Sequence, residues 1–259
     1  FYLFAKAQRV TASVVGWRSL PGFPYFNQQT TGGWLGLFLI ALWLTRRQLK
    51  YIFVQSLGLR AITEQPQTEP ENHRRVLIGV LSGLSFLVIF CMAGGMSFWI
   101  AIAFFVLLVS LEITVTRIRA ELGPPQHELG WVGPDTILVT TLGTRRLGGG
   151  NLTMLTYLYF TDRALASHPM PHQLEGFKIA QRVGICPKRL ATAMMIATIV
   201  GVVSALWSLL YSAYNTGVAS GFTGYVGIPW ESFRRLAGWI HYPNNTNLPE
   251  LAFIGLGLT

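Results

Sequence analysis

The chain predicts an all-α, polytopic transmembrane helix bundle with short interfacial or re-entrant helices in a long cytoplasmic segment. Three observations carry this. Charged residues make up only 12% of the 259 positions, and apolar ones 51%. A soluble domain carries roughly a quarter charged residues, whereas a surface facing lipid does without them. Four apolar runs approach or reach the ~20 residues needed to cross a hydrocarbon layer ~30 Å thick, and so many are hard to bury otherwise. The basic residues also gather in two of the segments between these runs, as cytoplasmic loops do.

The first expected helix starts with FYLFAKAQ, in mid-pattern, so it is expected to be truncated. Lys6, Gln8 and Arg9 interrupt it and must face protein or a cavity, or snorkel to an interface. The next span runs from about Tyr25 to Leu44, ending at Arg46 and Arg47. A cytoplasmic loop, 46–75, comes after it; its ITEQPQTEPENHRR stretch is polar and proline-bearing, a connector, with His73 solvated at the membrane edge. Two spans, 76–96 and 97–115, are joined by the uncharged turn AGGMSF, which is expected outside. Residues 1–116 thus form a first transmembrane unit.

Residues 117–188 form a polar segment of another kind, cytoplasmic or re-entrant. Gly123 and the Pro124–Pro125 pair must end the helix leaving the third span. Pro134 suits a first helical turn, with Thr136 to Leu142 as the body of a short helix, and NLTMLTYLYF (151–160) is a second short apolar run. Neither can cross alone, and runs of this length are buried, interfacial or re-entrant. Residues 189–259 complete the chain with a span over 189–211, an outside loop over 214–250, and the start of a further span. Arg234 and Arg235 break the positive-inside pattern there. Because both ends fall in apolar patterns, the chain is expected to be the interior of a larger protein.

Candidate site residues concentrate at one membrane face. Glu112, an ionisable group inside a span, is costly and faces the bundle interior or water, or else pairs locally with Thr116 or Arg119. With Arg117, Arg119, His168, His172 and Glu175 it forms the expected substrate or ion pathway. Pro169 and Pro171 forbid the HExxH helix of zincins, so no metal site is expected; Pro171 should instead start a helix with Glu175 in its first turn, and a turn-built site using His127 is the alternative. Arg145 and Arg146 are expected to contact an anion or lipid phosphate. GTRRLGGG lacks the Lys and Ser/Thr of a phosphate loop. Cys91 and Cys186 cannot be bridged plausibly, and the sequons at Asn151 and Asn244 are too common to identify a source. No catalytic constellation is legible, so neither enzymatic activity nor a cofactor is expected. The formal net charge of +9 suits topology and anionic lipid better than nucleic acid.

The strings FYLFAKAQRVTASVVGW, PYFNQQTTGGWLGLFLIALWLTRRQLK, RIRAELGPPQHELGWVGPD, LGTRRLGGGNLT and RALASHPMPHQLEGFKIA resemble the middle of a large prokaryotic membrane-protein family of unknown function. Its many-span layout is loosely similar to the oligopeptide transporter superfamily. The resemblance implies a multi-pass protein of the inner (plasma) membrane, transporter-like, whose partners are the bilayer and a small solute or peptide. A membrane scaffold with a partner-docking cytoplasmic segment is the alternative, and a membrane-embedded metal-dependent enzyme a third.

Overall fold

The computed structural model describes residues 2–16, 22–56, 73–124, 132–163, 168–217 and 223–259. These form ten helices with no strand among the described residues: α1 (Tyr2–Val15), α2 (Phe26–Ser56), α3 (His73–Ala93), α4 (Phe98–Leu122), α5 (Pro134–Leu142), α6 (Thr144–Arg163), α7 (Pro169–Val183), α8 (Pro187–Thr216), α9 (Thr223–His241) and α10 (Leu248–Leu258). His127 and most of the first basic loop lie outside the described residues.

Three helices, α3, α4 and α8, are long and apolar enough to cross a membrane. At about 1.5 Å per residue, α8 with its 30 residues is about 45 Å long, more than a hydrocarbon core ~30 Å thick requires. None of its residues is buried. The fourth expected span does form a helix, α2, but it is not among the three: Asn27, Gln28 and Gln29 begin it, and Arg46, Arg47 and Lys50 dilute its second half.

The core lies between α4 and the segment that comes after it. Phe104, Phe105 and Leu108 of α4 pack with Val88 and Cys91 of α3, Leu138 of α5, and Leu147, Leu152 and Leu155 of α6. A second cluster joins Leu111 and Val115 of α4 to Val132 and Ile137. α4 ends as its sequence demands. Gly123 adopts the left-handed conformation at φ 64°, and its N–H donates to the Arg119 carbonyl, a C-cap that leaves the prolines free to turn the chain.

From there the chain climbs back along α4. Pro134 is the first residue of α5. α5 stops at Gly143 (φ 77°), and α6 is broken at Gly148 (φ 73°, ψ 164°) into a short piece and a longer one. Beside the second break Asn151 reaches the start of α4: its Oδ1 accepts from Ser97 N at 2.7 Å, and its Nδ2 donates to Leu147 O at 2.6 Å and to Ser97 Oγ at 3.1 Å. The tip of this hairpin therefore touches the AGGMSF turn, at the opposite end of α4 from Arg117 and Arg119. Residues 144–163 form one kinked helix where only 151–160 was expected, because Thr144 to Leu147 add a turn before the glycines.

The segment 214–250, expected as a loop, carries the 19-residue helix α9, which packs on α6. Gly224, Gly227 and the internal Pro229 made it look irregular. α10 crosses α2 at a contact only glycine allows. A Cβ on Gly32 would run into the carbonyl oxygen of Ile254, and one on Gly257 into that of Gln29. Phe253 also stacks on Tyr25, with ring centroids 4.9 Å apart.

Candidate functional site

Two clusters of charge sit on this scaffold. The first joins α4 to the start of α7. His168 is the N-cap of α7: its Nδ1 accepts the Met170 N–H at 3.2 Å. That leaves Nε2 as the nitrogen carrying the hydrogen, and Nε2 meets Glu112 Oε1. Both side chains are largely covered, at 11% and 16% exposure. Two turns on, Arg119 holds Glu175 with two bonds, Nε to Oε1 at 2.5 Å and a terminal nitrogen to Oε2 at 3.1 Å. Such paired bonds fix orientation as well as charge. His172 Nδ1 stands 3.9 Å from Glu175 Oε2.

Five of the six expected pathway residues are thus brought together, with partners that differ from those expected. Glu112 pairs with neither Thr116 nor Arg119. Thr116 Oγ1 donates to the backbone carbonyl of Glu112 at 2.7 Å, and Arg119 is taken by Glu175. α7 begins at Pro169 rather than Pro171, so Glu175 falls beyond the first turn and serves α4 instead of its own helix end. Arg117 stays apart: it bonds Glu121 one turn along at 2.8 Å on an exposed surface, a pairing worth little.

Arg145 and Arg146 are exposed and lie at the hairpin tip. The Arg145 N–H donates to Asn244 O at 3.1 Å. Ser97, the neighbour of this tip, is twenty-two residues from Arg119 along α4, about 33 Å at helical rise. The two arginines therefore lie near the opposite end of α4 from the His168 cluster.

Sequence reasoning missed the second cluster. Asp135, in the first turn of α5, has a side chain only 2% exposed, and its Oδ2 accepts from an Arg235 terminal nitrogen at 2.6 Å. Its Oδ1 accepts from Thr136 N at 2.5 Å and from Thr136 Oγ1 at 3.1 Å. The Arg235 guanidinium carbon lies 4.6 Å from the centre of the Tyr159 ring and 4.8 Å from that of Trp239. Tyr159 in turn donates to Glu231 at 3.0 Å. One signal was available: Arg235 violated the positive-inside pattern, and an arginine among apolar helices needs a buried acid.

Beyond Asp135 the α5–α6 junction is stitched to the segment after α9. Thr144 Oγ1 accepts from Asn244 N at 2.8 Å, and a Cβ on Gly143 would sit 2.7 Å from the Asn245 carbonyl carbon. Thr140 Oγ1 donates to Glu250 Oε2 at 3.1 Å. A cavity of about 570 Å³ opens here. Among the described residues no three of His, Cys, Asp and Glu gather as a metal ion would need.

Apolar helices of spanning length, a twice-broken hairpin packed along one of them, and ion pairs held between helices define a helical protein of the membrane-embedded class. The chain belongs to DUF6785, a family of unknown function, which matches residues 1–259. No curated protein and no solved structure matches it. The family match carries the resemblance to a family of unknown function and no tie to oligopeptide transporters.

Proposed function

We propose that this chain is part of a multi-pass plasma-membrane protein that moves a small solute or peptide. The broken α5–α6 hairpin is the element that lines the path. One observation carries this reading: the α5–α6 hairpin, interrupted at Gly143 and Gly148, packs its apolar side chains on α4, with the buried Asp135 paired to Arg235 at its foot. Irregular backbone at membrane depth is tolerated where protein or a water-filled cavity satisfies it, and such discontinuous helices form the binding sites of many transporters. In this reading Glu112, Arg119, His168, His172 and Glu175 hold the cytoplasmic end closed, and Arg117 is a surface residue. The test is flux. Reconstituted in liposomes under a proton or sodium gradient, the intact protein should accumulate solute, and D135N should abolish accumulation. Absence of any flux under every gradient would remove the reading.

A scaffold role has one observation in its favour, the absence of any buried residue along α8. A single partner cross-linked reproducibly through His172, together with no flux, would select it.

A further inference from the structure

We propose that the cavity between the α5–α6 junction and the start of α10 binds a small organic cation of the alkylammonium type, held by Glu250 and Trp239. The cavity, about 570 Å³, falls within the ~300–1,000 Å³ common for small-molecule sites. Thr140, Trp239, Asn244, Asn247 and Glu250 contribute its chemistry, and Glu250 is the charged residue in its described lining.

The carboxylate is positioned but not neutralised. Glu250 Oε2 accepts from the Thr140 hydroxyl at 3.1 Å and Oε1 from the Asn247 amide at 2.7 Å. Both donors are neutral, and no cation pairs with Glu250 among the described residues. A carboxylate offers about four lone-pair sites, so acceptor capacity remains. A local duty exists as well. Asn247 caps α10 by accepting the Glu250 N–H at 3.3 Å, but that cap does not require the carboxylate to reach Thr140 on another helix.

A carboxylate with no cationic side chain against it, held only by neutral donors and the N-terminal end of α10, draws an ammonium group by charge. Trp239 lines the same cavity, and the face of its ring away from Arg235, whose guanidinium carbon lies 4.8 Å from the ring centre, would add cation–π attraction. An anion would meet the Glu250 charge with no lining cation to offset it. A neutral polyol could use the amides yet would leave the carboxylate uncompensated. Arg235, near Trp239, is not part of the lining and is itself neutralised by Asp135 at 2.6 Å. As a substrate class the assignment rests on the transport reading, but binding does not.

The test is equilibrium binding by calorimetry to the protein in nanodiscs, with n-butylammonium as probe and n-butanol, butyrate and glucose as comparators. Saturable binding of n-butylammonium alone is expected. E250Q should weaken it about tenfold or more, as loss of a charged partner does, while the protein still unfolds in one cooperative transition. E250D should retain affinity within about threefold, and W239A should cost about fivefold. Binding indifferent to E250Q, no n-butylammonium binding, or tighter binding of glucose or butyrate would each overturn the site. If amine binding holds but no amine flux accompanies it in liposomes, transport falls and the site stands. Flux without Glu250-dependent binding would overturn the site and leave transport standing.

Discussion

Asp135 is the most buried charge in the described structure, with a side chain 2% exposed and Arg235 bonded to it at 2.6 Å. Removing one partner of a buried pair strands the other charge, which costs about 3–5 kcal/mol, whereas removing both is far milder. D135A and R235A should therefore each lower stability by about 3 kcal/mol, and the double variant by less than their sum. Denaturant unfolding in detergent micelles measures all three. Additive losses would mean that the two side chains do not depend on one another. A second residue-scale expectation concerns Cys186, the exposed N-cap of α8. The backbone N–H groups of Lys188 and then Arg189, exposed at the N-terminus of α8, hold its thiol below the ordinary value, with a smaller contribution from their side-chain charges. The thiolate is the reactive form, and a lowered pKa means that it is populated at lower pH. In a C91S background, iodoacetamide should label Cys186 with a pH profile displaced downward from that of a free cysteine peptide. Unfolding the protein should return the profile to the peptide's.

At the scale of elements, α3, α4 and α8 were legible because an unbroken apolar run of spanning length has one inexpensive solution. The C-cap at Gly123 and the first-turn Pro134 were legible for a similarly local reason. α9 was not, since Gly224, Gly227 and Pro229 punctuate a helix whose amphipathic face is explained only by α6. Nor were the partners of Glu112, Arg119 and Asp135, because each lies on a distant element, a hundred residues away for Asp135 and Arg235. The sequence left open whether 134–160 lies on the membrane or folds back into it. The Asn151–Ser97 bonds make that choice measurable. In a protein lacking Cys91 and Cys186, R145C and K178C should react with a membrane-impermeant maleimide from opposite sides of sealed vesicles. Labelling of both from one side would lay the hairpin flat on the cytoplasmic surface.

Across the whole molecule, the charges meet one another where helices pack, and one apolar helix is left almost uncovered. Glu112–His168 and Arg119–Glu175 tie α4 to α7, and Asp135–Arg235 ties α5 to α9. α8 packs on α7 yet has no buried residue. In water an exposed stripe containing Ile199, Val203 and Leu206 would drive aggregation; in lipid it carries no penalty. The two solvents give opposite signs for one substitution. Val203, near the middle of α8, is 62% exposed. If lipid surrounds it, V203K should oppose insertion by about 2.5–3.5 kcal/mol and increase the fraction released from membranes by alkaline carbonate. If α8 instead projects into water, V203K would improve solubility and leave membrane association untouched. V203L, which keeps the apolar surface, should behave as wild type in either case, so only the charge separates the outcomes.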